Sequence, residues 1–132
     1  MHYLLSGLCP GLDEQGLPTV DTQALYDRMD AVRACGLRPM IITYGVPGPL
    51  SVSGQADSGP IKDFRLWEAF NYRIAQALID RYGREEVRKW RFEVWNEPET
   101  GQTGYRTGVP GQGFGANYTE LYDWTVVSRP AA

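Results

Sequence analysis

The chain of 132 residues has little of two residue types that build metal and redox sites, with one histidine and two cysteines. Cys9 and Cys35 lie far apart, at no spacing typical of a zinc or redox motif, so we expect no metal site and no cofactor. Whether Cys9 and Cys35 form a disulfide is left open by the sequence. We expect Cys35 to be a small, half-buried thiol on a helix.

Long apolar runs and an excess of positive charge are also absent. Lys+Arg 13 against Asp+Glu 16 gives no basic surface for nucleic acid. No apolar run approaches the roughly 20 residues that span a bilayer, so we expect no membrane partner. The N-terminus lacks the basic and apolar regions of a signal peptide, and the localisation stays unknown. With 42% hydrophobic residues, residues 1–132 are expected to form one globular domain.

Patterns typical of helices and strands alternate along the chain. The predicted elements, in chain order, are a helix over 21–35, a strand over 38–44, an irregular loop over 45–60, a helix over 63–82, a strand around 90–97, a glycine-rich loop over 99–115 and a helix that follows it. Strands that alternate with helices predict a parallel sheet of the α/β class. Both long loops follow strands, so they lie at the same edge of the sheet, where βα proteins bind substrates.

Polar residues at the predicted helix starts match known capping patterns. Asp21 or Thr22 can cap the first helix, and Asp63 the second, because a short polar side chain accepts hydrogen bonds from free backbone amides. Asn117 with Glu120 three residues later resembles a capping box. We therefore expect the last helix to begin at Asn117.

The segment 91–98 carries the strongest functional signal. A β-prone run from Phe92 to Trp95 ends in Asn96-Glu97-Pro98, and proline cannot donate to a sheet ladder. Asn96 and Glu97 are thus predicted at the carboxyl end of a strand, where α/β proteins build active sites. A carboxylate fixed there can act as a general acid, a nucleophile or a metal ligand. The alternative is an ordinary surface glutamate at a strand end.

Residues 81–98 closely resemble the fourth-strand segment of glycoside hydrolase family 39, the family of β-xylosidases and α-L-iduronidases. The Arg-Tyr-Gly-x-Glu-Glu-Val-x-x-Trp run that starts at Arg81 indicates this family, and Asn-Glu-Pro is shared by its clan of retaining (β/α)8-barrel glycosidases. The resemblance extends over about residues 20–125. It implies an incomplete (β/α)8 TIM barrel, from the end of strand two into helix four, because a full barrel takes about 250 residues.

The resemblance also implies roles for individual residues. Glu97 matches the acid/base of a retaining glycosidase, and Asn96 matches the residue that donates a hydrogen bond to the sugar 2-hydroxyl. The rings of Trp95 and Tyr44 follow strand ends, so each is expected either to contact the sugar or to pack in the core. His2 corresponds to a histidine near the end of strand two and is expected to bind substrate.

The resemblance places the second catalytic carboxylate, the nucleophile, at the end of strand seven, beyond this chain. We therefore expect a fragment of a retaining glycoside hydrolase that acts on β-xyloside-like carbohydrates and is inactive alone. The alternative is a non-catalytic half-barrel that binds carbohydrate or assembles with a partner. Open sheet edges also predict self-association.

Overall fold

The computed structural model describes residues 7–57, 59–97 and 114–126. Within these ranges helices and strands alternate as the sequence predicts, although both strands are shorter than predicted. The elements are α1 (Thr22–Ala34), β1 (Met40–Thr43), a short 3-10 helix (Gly48–Leu50), α2 (Phe64–Tyr82), α3 (Arg84–Val87), β2 (Arg91–Val94) and α4 (Phe114–Val126). In this part of the chain no helix is long and apolar enough to cross a membrane.

The two strands form a parallel pair, as the alternating pattern predicts. Ile41 lies opposite Phe92 and Thr43 opposite Val94, and the chain between the strands forms α2 and α3. Because the pair is parallel, the carboxyl ends of β1 and β2 meet at one edge of the sheet. β1 is buried from Ile41 onwards, whereas the first three residues of β2 are exposed.

Two predicted helix starts are confirmed and one is wrong. Asp21 caps α1 by accepting from the Ala24 amide at 3.0 Å, and Asp63 caps α2 by accepting from the Arg65 amide at 2.8 Å. In contrast, α4 begins at Phe114, so Asn117 lies inside the helix and is not its N-cap. A capping-box spacing of three residues also occurs between neighbours within a helix, and here the sequence pattern could not distinguish the two cases.

The core lies between the helices and β1. The indole of Trp67, which is fully buried, donates to the Thr125 hydroxyl at 2.9 Å and so links α2 to α4. The apolar stripe predicted for α2 is confirmed, since all its members are buried: Trp67, Phe70, Ile74, Ala77 and Leu78. α1 buries Leu25 and Met29 against the same core.

The structure answers the open question of the disulfide and corrects the predicted burial of Cys35. Both are free thiols, so the Cys9–Cys35 disulfide does not form in this structure. Cys35 is exposed because α1 ends at Ala34, which leaves Cys35 as the C-cap beyond the apolar stripe. Cys9 is the buried thiol, and that burial raises its pKa.

A cluster of charged and aromatic side chains joins α1 to the end of α2. The Tyr82 hydroxyl donates to one carboxylate oxygen of Asp30 at 2.6 Å, and Arg81 donates to the other. The Arg81 guanidinium also lies 4.7 Å from the centre of the Tyr26 ring, which in turn meets Tyr82 edge-on. Arg81 and Tyr82 thus hold the carboxylate in its charged form, which lowers the pKa of Asp30.

We expect Tyr82→Phe to change how stability depends on pH. Burial, together with the hydrogen bond to Asp30, raises the pKa of Tyr82 from 10.0 to about 12. A group whose pKa rises on folding contributes stability fully below its unfolded value and loses it as the pH rises through the folded value. The free energy of unfolding should therefore fall between these two pH values in the wild-type chain and fall less in the variant. Denaturant unfolding at each pH measures this, and parallel curves would contradict it.

Candidate active site at the carboxyl ends of the strands

The carboxyl ends of β1 and β2 bring Tyr44 and Trp95 together. The Trp95 amide donates to the Thr43 carbonyl at 3.1 Å, which extends the strand pairing by one residue. The two rings then meet edge-to-face, with centroids 5.1 Å apart at 70°. Trp95 is 0% exposed and Tyr44 3%. The structure thus shows both rings packed in the core, and a direct contact with sugar stays a prediction.

The backbone leaves the strand conformation before it reaches Glu97. β2 ends at Val94, so the predicted strand through residue 97 is too long. The reason is that Trp95 has φ 67° and Glu97 has φ 43°, both in the left-handed region that cannot continue a ladder. For residues other than glycine, such sparsely populated conformations cost on the order of 1–3 kcal/mol each. The tripeptide Trp95–Glu97, which we call the strand tip, therefore needs support from its surroundings.

The three side chains of the strand tip differ in exposure. Trp95 is buried, Asn96 is half-buried and Glu97 is exposed. The amide and the carboxylate, the two groups with chemistry to offer, thus lie toward solvent at the edge where the sheet ends. Asn96 and Glu97 are thus accessible to a ligand from solvent, whereas the buried Trp95 anchors the strand tip.

The loop after β1 is held together by backbone pairing and by one carboxylate. Val46 and Asp57 exchange two backbone hydrogen bonds, of 2.8 and 3.1 Å. The Asp57 carboxylate accepts from the Ser51 hydroxyl at 2.8 Å, the Ser53 hydroxyl at 2.5 Å and the Gly59 amide at 2.9 Å. The sequence predicts an irregular loop here, and the structure adds that this one carboxylate organises it.

Sequence reasoning missed one residue at this edge, Tyr118 of α4. Its hydroxyl donates to the Val94 carbonyl at 3.1 Å, directly before the strand tip. Burial raises the pKa of Tyr118, and the nearby Tyr122 and Glu93 raise it further. The hydroxyl therefore keeps its proton and can donate it to a hydrogen bond. No local pattern predicts this contact, because 24 residues separate the two groups.

Other predicted features lie outside the described residues. His2 belongs to residues 1–6, and most of the glycine-rich loop belongs to residues 98–113, so the structure tests neither. Within the described ranges no group of three or more His, Cys, Asp or Glu side chains is placed to hold a metal ion.

The model of the family "Glycosyl hydrolases family 39" matches residues 19–127. The chain belongs to glycoside hydrolase family 39. This confirms the family that the residues around the strand tip indicate. The match includes both strands and the strand tip.

Two similar proteins support the family assignment. Over 76 residues, 53% of this chain, it is 37% identical to a β-xylosidase from Geobacillus stearothermophilus. Over 77 residues it is 36% identical to a β-xylosidase from Caldicellulosiruptor saccharolyticus. The chain spans 15% and 16% of the lengths of these two proteins.

A solved structure supports the fold. The family 39 enzyme from Xanthomonas axonopodis pv. citri superposes with a TM-score of 0.76 and 26% sequence identity, over 93% of this chain and 24% of that one. The mixed helix and strand arrangement is therefore that of family 39 enzymes, which are TIM barrels. How far around the barrel this segment extends stays a prediction.

Proposed function

We propose that this chain is the part of a retaining glycoside hydrolase, acting on β-xylosides, that carries the acid/base residue Glu97. One observation carries the proposal: Asn96 and Glu97 follow β2, with only Trp95 between, at the edge where two parallel strands end, within a segment of family 39. Carboxylates at the carboxyl ends of barrel strands are the usual catalytic groups of this architecture. The names of both β-xylosidase relatives support the choice of sugar.

In this mechanism Glu97 acts twice. As an acid it gives its proton to the leaving oxygen while a second carboxylate attacks the anomeric carbon and the glycosidic bond breaks. As a base it then takes a proton from the water that hydrolyses the covalent glycosyl-enzyme. Two carboxyl groups about 5–5.5 Å apart are needed. The resemblance assigns the second to strand seven, so we propose that this chain alone is inactive.

The neighbours of Glu97 would bind the sugar. Asn96, half-buried beside it, is proposed to donate a hydrogen bond to the 2-hydroxyl, an interaction that strengthens in the transition state. Trp95 and Tyr44 would form the floor below the sugar, since their rings already pack against each other there. His2 is proposed to contact substrate from the preceding strand end.

The test needs a complete barrel, by which we mean these residues joined to the strands that supply the second carboxylate. This is either a full-length polypeptide or a chimera in which residues 19–127, the segment that the family model matches, replace the corresponding part of a complete family 39 β-xylosidase. It should hydrolyse aryl β-xylosides, and proton NMR should show β-xylose appearing before the α anomer. No hydrolysis, or α-xylose first, would contradict the proposal.

A second candidate function is a non-catalytic half-barrel that assembles with another chain or binds carbohydrate. Its support is apolar surface: within the described ranges β1 and β2 pair only with each other, and Phe92 is 48% exposed. On the helix side of the sheet lies a groove of about 620 Å³ that reaches the exposed Val126. The two candidates differ in whether a second carboxylate comes within about 5.5 Å of Glu97.

For either candidate we expect the isolated chain to form dimers or larger species, because bare strand edges and exposed apolar residues favour association. Light scattering on a sizing column measures the mass. Phe92→Lys, in the groove, should reduce association, whereas Val52→Lys on the loop, itself 63% exposed, should leave it unchanged. A sharp monomer peak with cooperative unfolding would rule out this expectation.

A further inference from the structure

The strand tip holds two residues other than glycine in left-handed conformations, Trp95 at φ 67° and Glu97 at φ 43°. Such conformations persist only where the surrounding structure over-determines them, and they concentrate at functional sites. The position of the Glu97 carboxylate therefore depends on whatever holds the peptide planes of residues 94–97.

Among the contacts of the described residues, three restrain this segment. The Trp95 amide is bound to the Thr43 carbonyl, and the Trp95 ring is buried against Tyr44. These two come from the strand pairing and the core. The third comes from outside the sheet: the Tyr118 hydroxyl of α4 donates to the Val94 carbonyl at 3.1 Å. That carbonyl belongs to the same peptide plane as the Trp95 amide, so the plane is fixed from both sides.

We propose that Tyr118 is a positioning residue, which aims the Glu97 carboxyl by clamping the peptide between Val94 and Trp95. The proposal rests on the proposed role of Glu97 and adds a residue to it. A hydrogen bond to this plane transmits to Glu97 because only Asn96 separates Glu97 from the clamped Trp95. The next turn of the helix offers a comparison, since the Tyr122 ring lies 6.1 Å from that of Tyr118 and is 44% exposed.

The test compares Tyr118→Phe with Tyr122→Phe in the complete barrel. Both substitutions remove one hydroxyl from the same face of α4, but only Tyr118→Phe removes the hydrogen bond to the Val94 carbonyl. Each is assayed by kcat/KM on xylobiose, whose leaving group needs a proton, and on a dinitrophenyl β-xyloside, whose leaving group does not. A loss of folded enzyme lowers both values equally, whereas a misplaced acid lowers only the first.

We expect Tyr118→Phe to lower kcat/KM on xylobiose about tenfold and to leave the dinitrophenyl substrate within about twofold, because small displacements of a catalytic group cost large factors in rate. Tyr122→Phe should resemble the wild type on both substrates. Hydrogen exchange of the Asn96 and Glu97 amides should become faster in Tyr118→Phe only.

Equal losses on both substrates in Tyr118→Phe, or values like those of Tyr122→Phe, would overturn the proposal. The Glu97→Gln variant shows which proposal has failed, the role of Tyr118 or the role of Glu97. If Glu97→Gln shows a selective loss on xylobiose and Tyr118→Phe does not, the role of Tyr118 is refuted and that of Glu97 stands. If Glu97→Gln shows no selectivity, the proposed function fails and this inference fails with it.

Discussion

Glu97→Gln in the complete barrel is expected to lower kcat/KM on xylobiose by a factor of about 10²–10⁴, the usual contribution of a general acid. Glutamine is nearly the same size and cannot give up a proton. On a dinitrophenyl β-xyloside kcat/KM should stay near the wild-type value, because that leaving group departs without protonation. On this substrate kcat and KM should fall together. Hydrolysis of the glycosyl-enzyme has lost its base, so the covalent intermediate accumulates.

Glu85→Gln is the matched control for this experiment. Glu85 is also an exposed glutamate, but it lies on α3 and pairs with Arg88 at 3.1 Å, a salt bridge at the surface. The control should keep wild-type rates on both substrates. A Glu97→Gln enzyme that loses the same factor on both substrates would contradict the role of Glu97 as the acid, and one that loses nothing would remove it from the mechanism.

Trp95→Ala is expected to destabilise the complete barrel by about 3–5 kcal/mol, the usual cost of emptying a buried tryptophan site. Trp95 is 0% exposed and contacts Tyr44, so the truncation leaves a cavity where the two strands end. Alanine also keeps the cost of the left-handed backbone without the packing that offsets it. Denaturant unfolding gives the loss, and activity should fall on both substrates because the strand tip is no longer held.

Trp124→Ala serves as the comparison for Trp95→Ala. Trp124 is partly buried and stacks on Phe64 with centroids 6.0 Å apart, so its removal should cost clearly less. Trp95→Phe distinguishes packing from direct contact with sugar. If Trp95 binds sugar directly, Trp95→Phe raises KM without a matching loss of stability. A Trp95→Ala loss below about 1 kcal/mol, the centre of the range for ordinary substitutions, would contradict the packing role.

The features that sequence reasoning predicted are those with a local cause. The stripe of α2 repeats every three or four residues, and the caps Asp21 and Asp63 act on amides two or three positions away. The parallel pairing of β1 and β2 follows from a strand, a helix and a second strand in order. Asn96 and Glu97 could be predicted near a strand end because the sequence has a proline next, and proline cannot donate to a sheet ladder.

The features that it missed depend on distant contacts or on unusual backbone. Nothing in a tryptophan or a glutamate predicts a positive φ, since the conformations of Trp95 and Glu97 are imposed by their surroundings. The hydrogen bond from Tyr118 to Val94 joins two elements across a loop of glycine-rich sequence. The start of α4 was also missed, because the three-residue spacing of Asn117 and Glu120 occurs inside helices as well as at their starts.

Azide rescue of Glu97→Ala in the complete barrel tests the assignment of the acid/base most directly. Removing the carboxylate opens space at the anomeric carbon and leaves the covalent intermediate without a base, and azide attacks without needing one. With a dinitrophenyl β-xyloside, the account predicts that azide raises the turnover of the variant and that the product is β-xylosyl azide. No acceleration by azide, or α-xylosyl azide as the product, would contradict the assignment of Glu97 as the acid/base of a retaining enzyme.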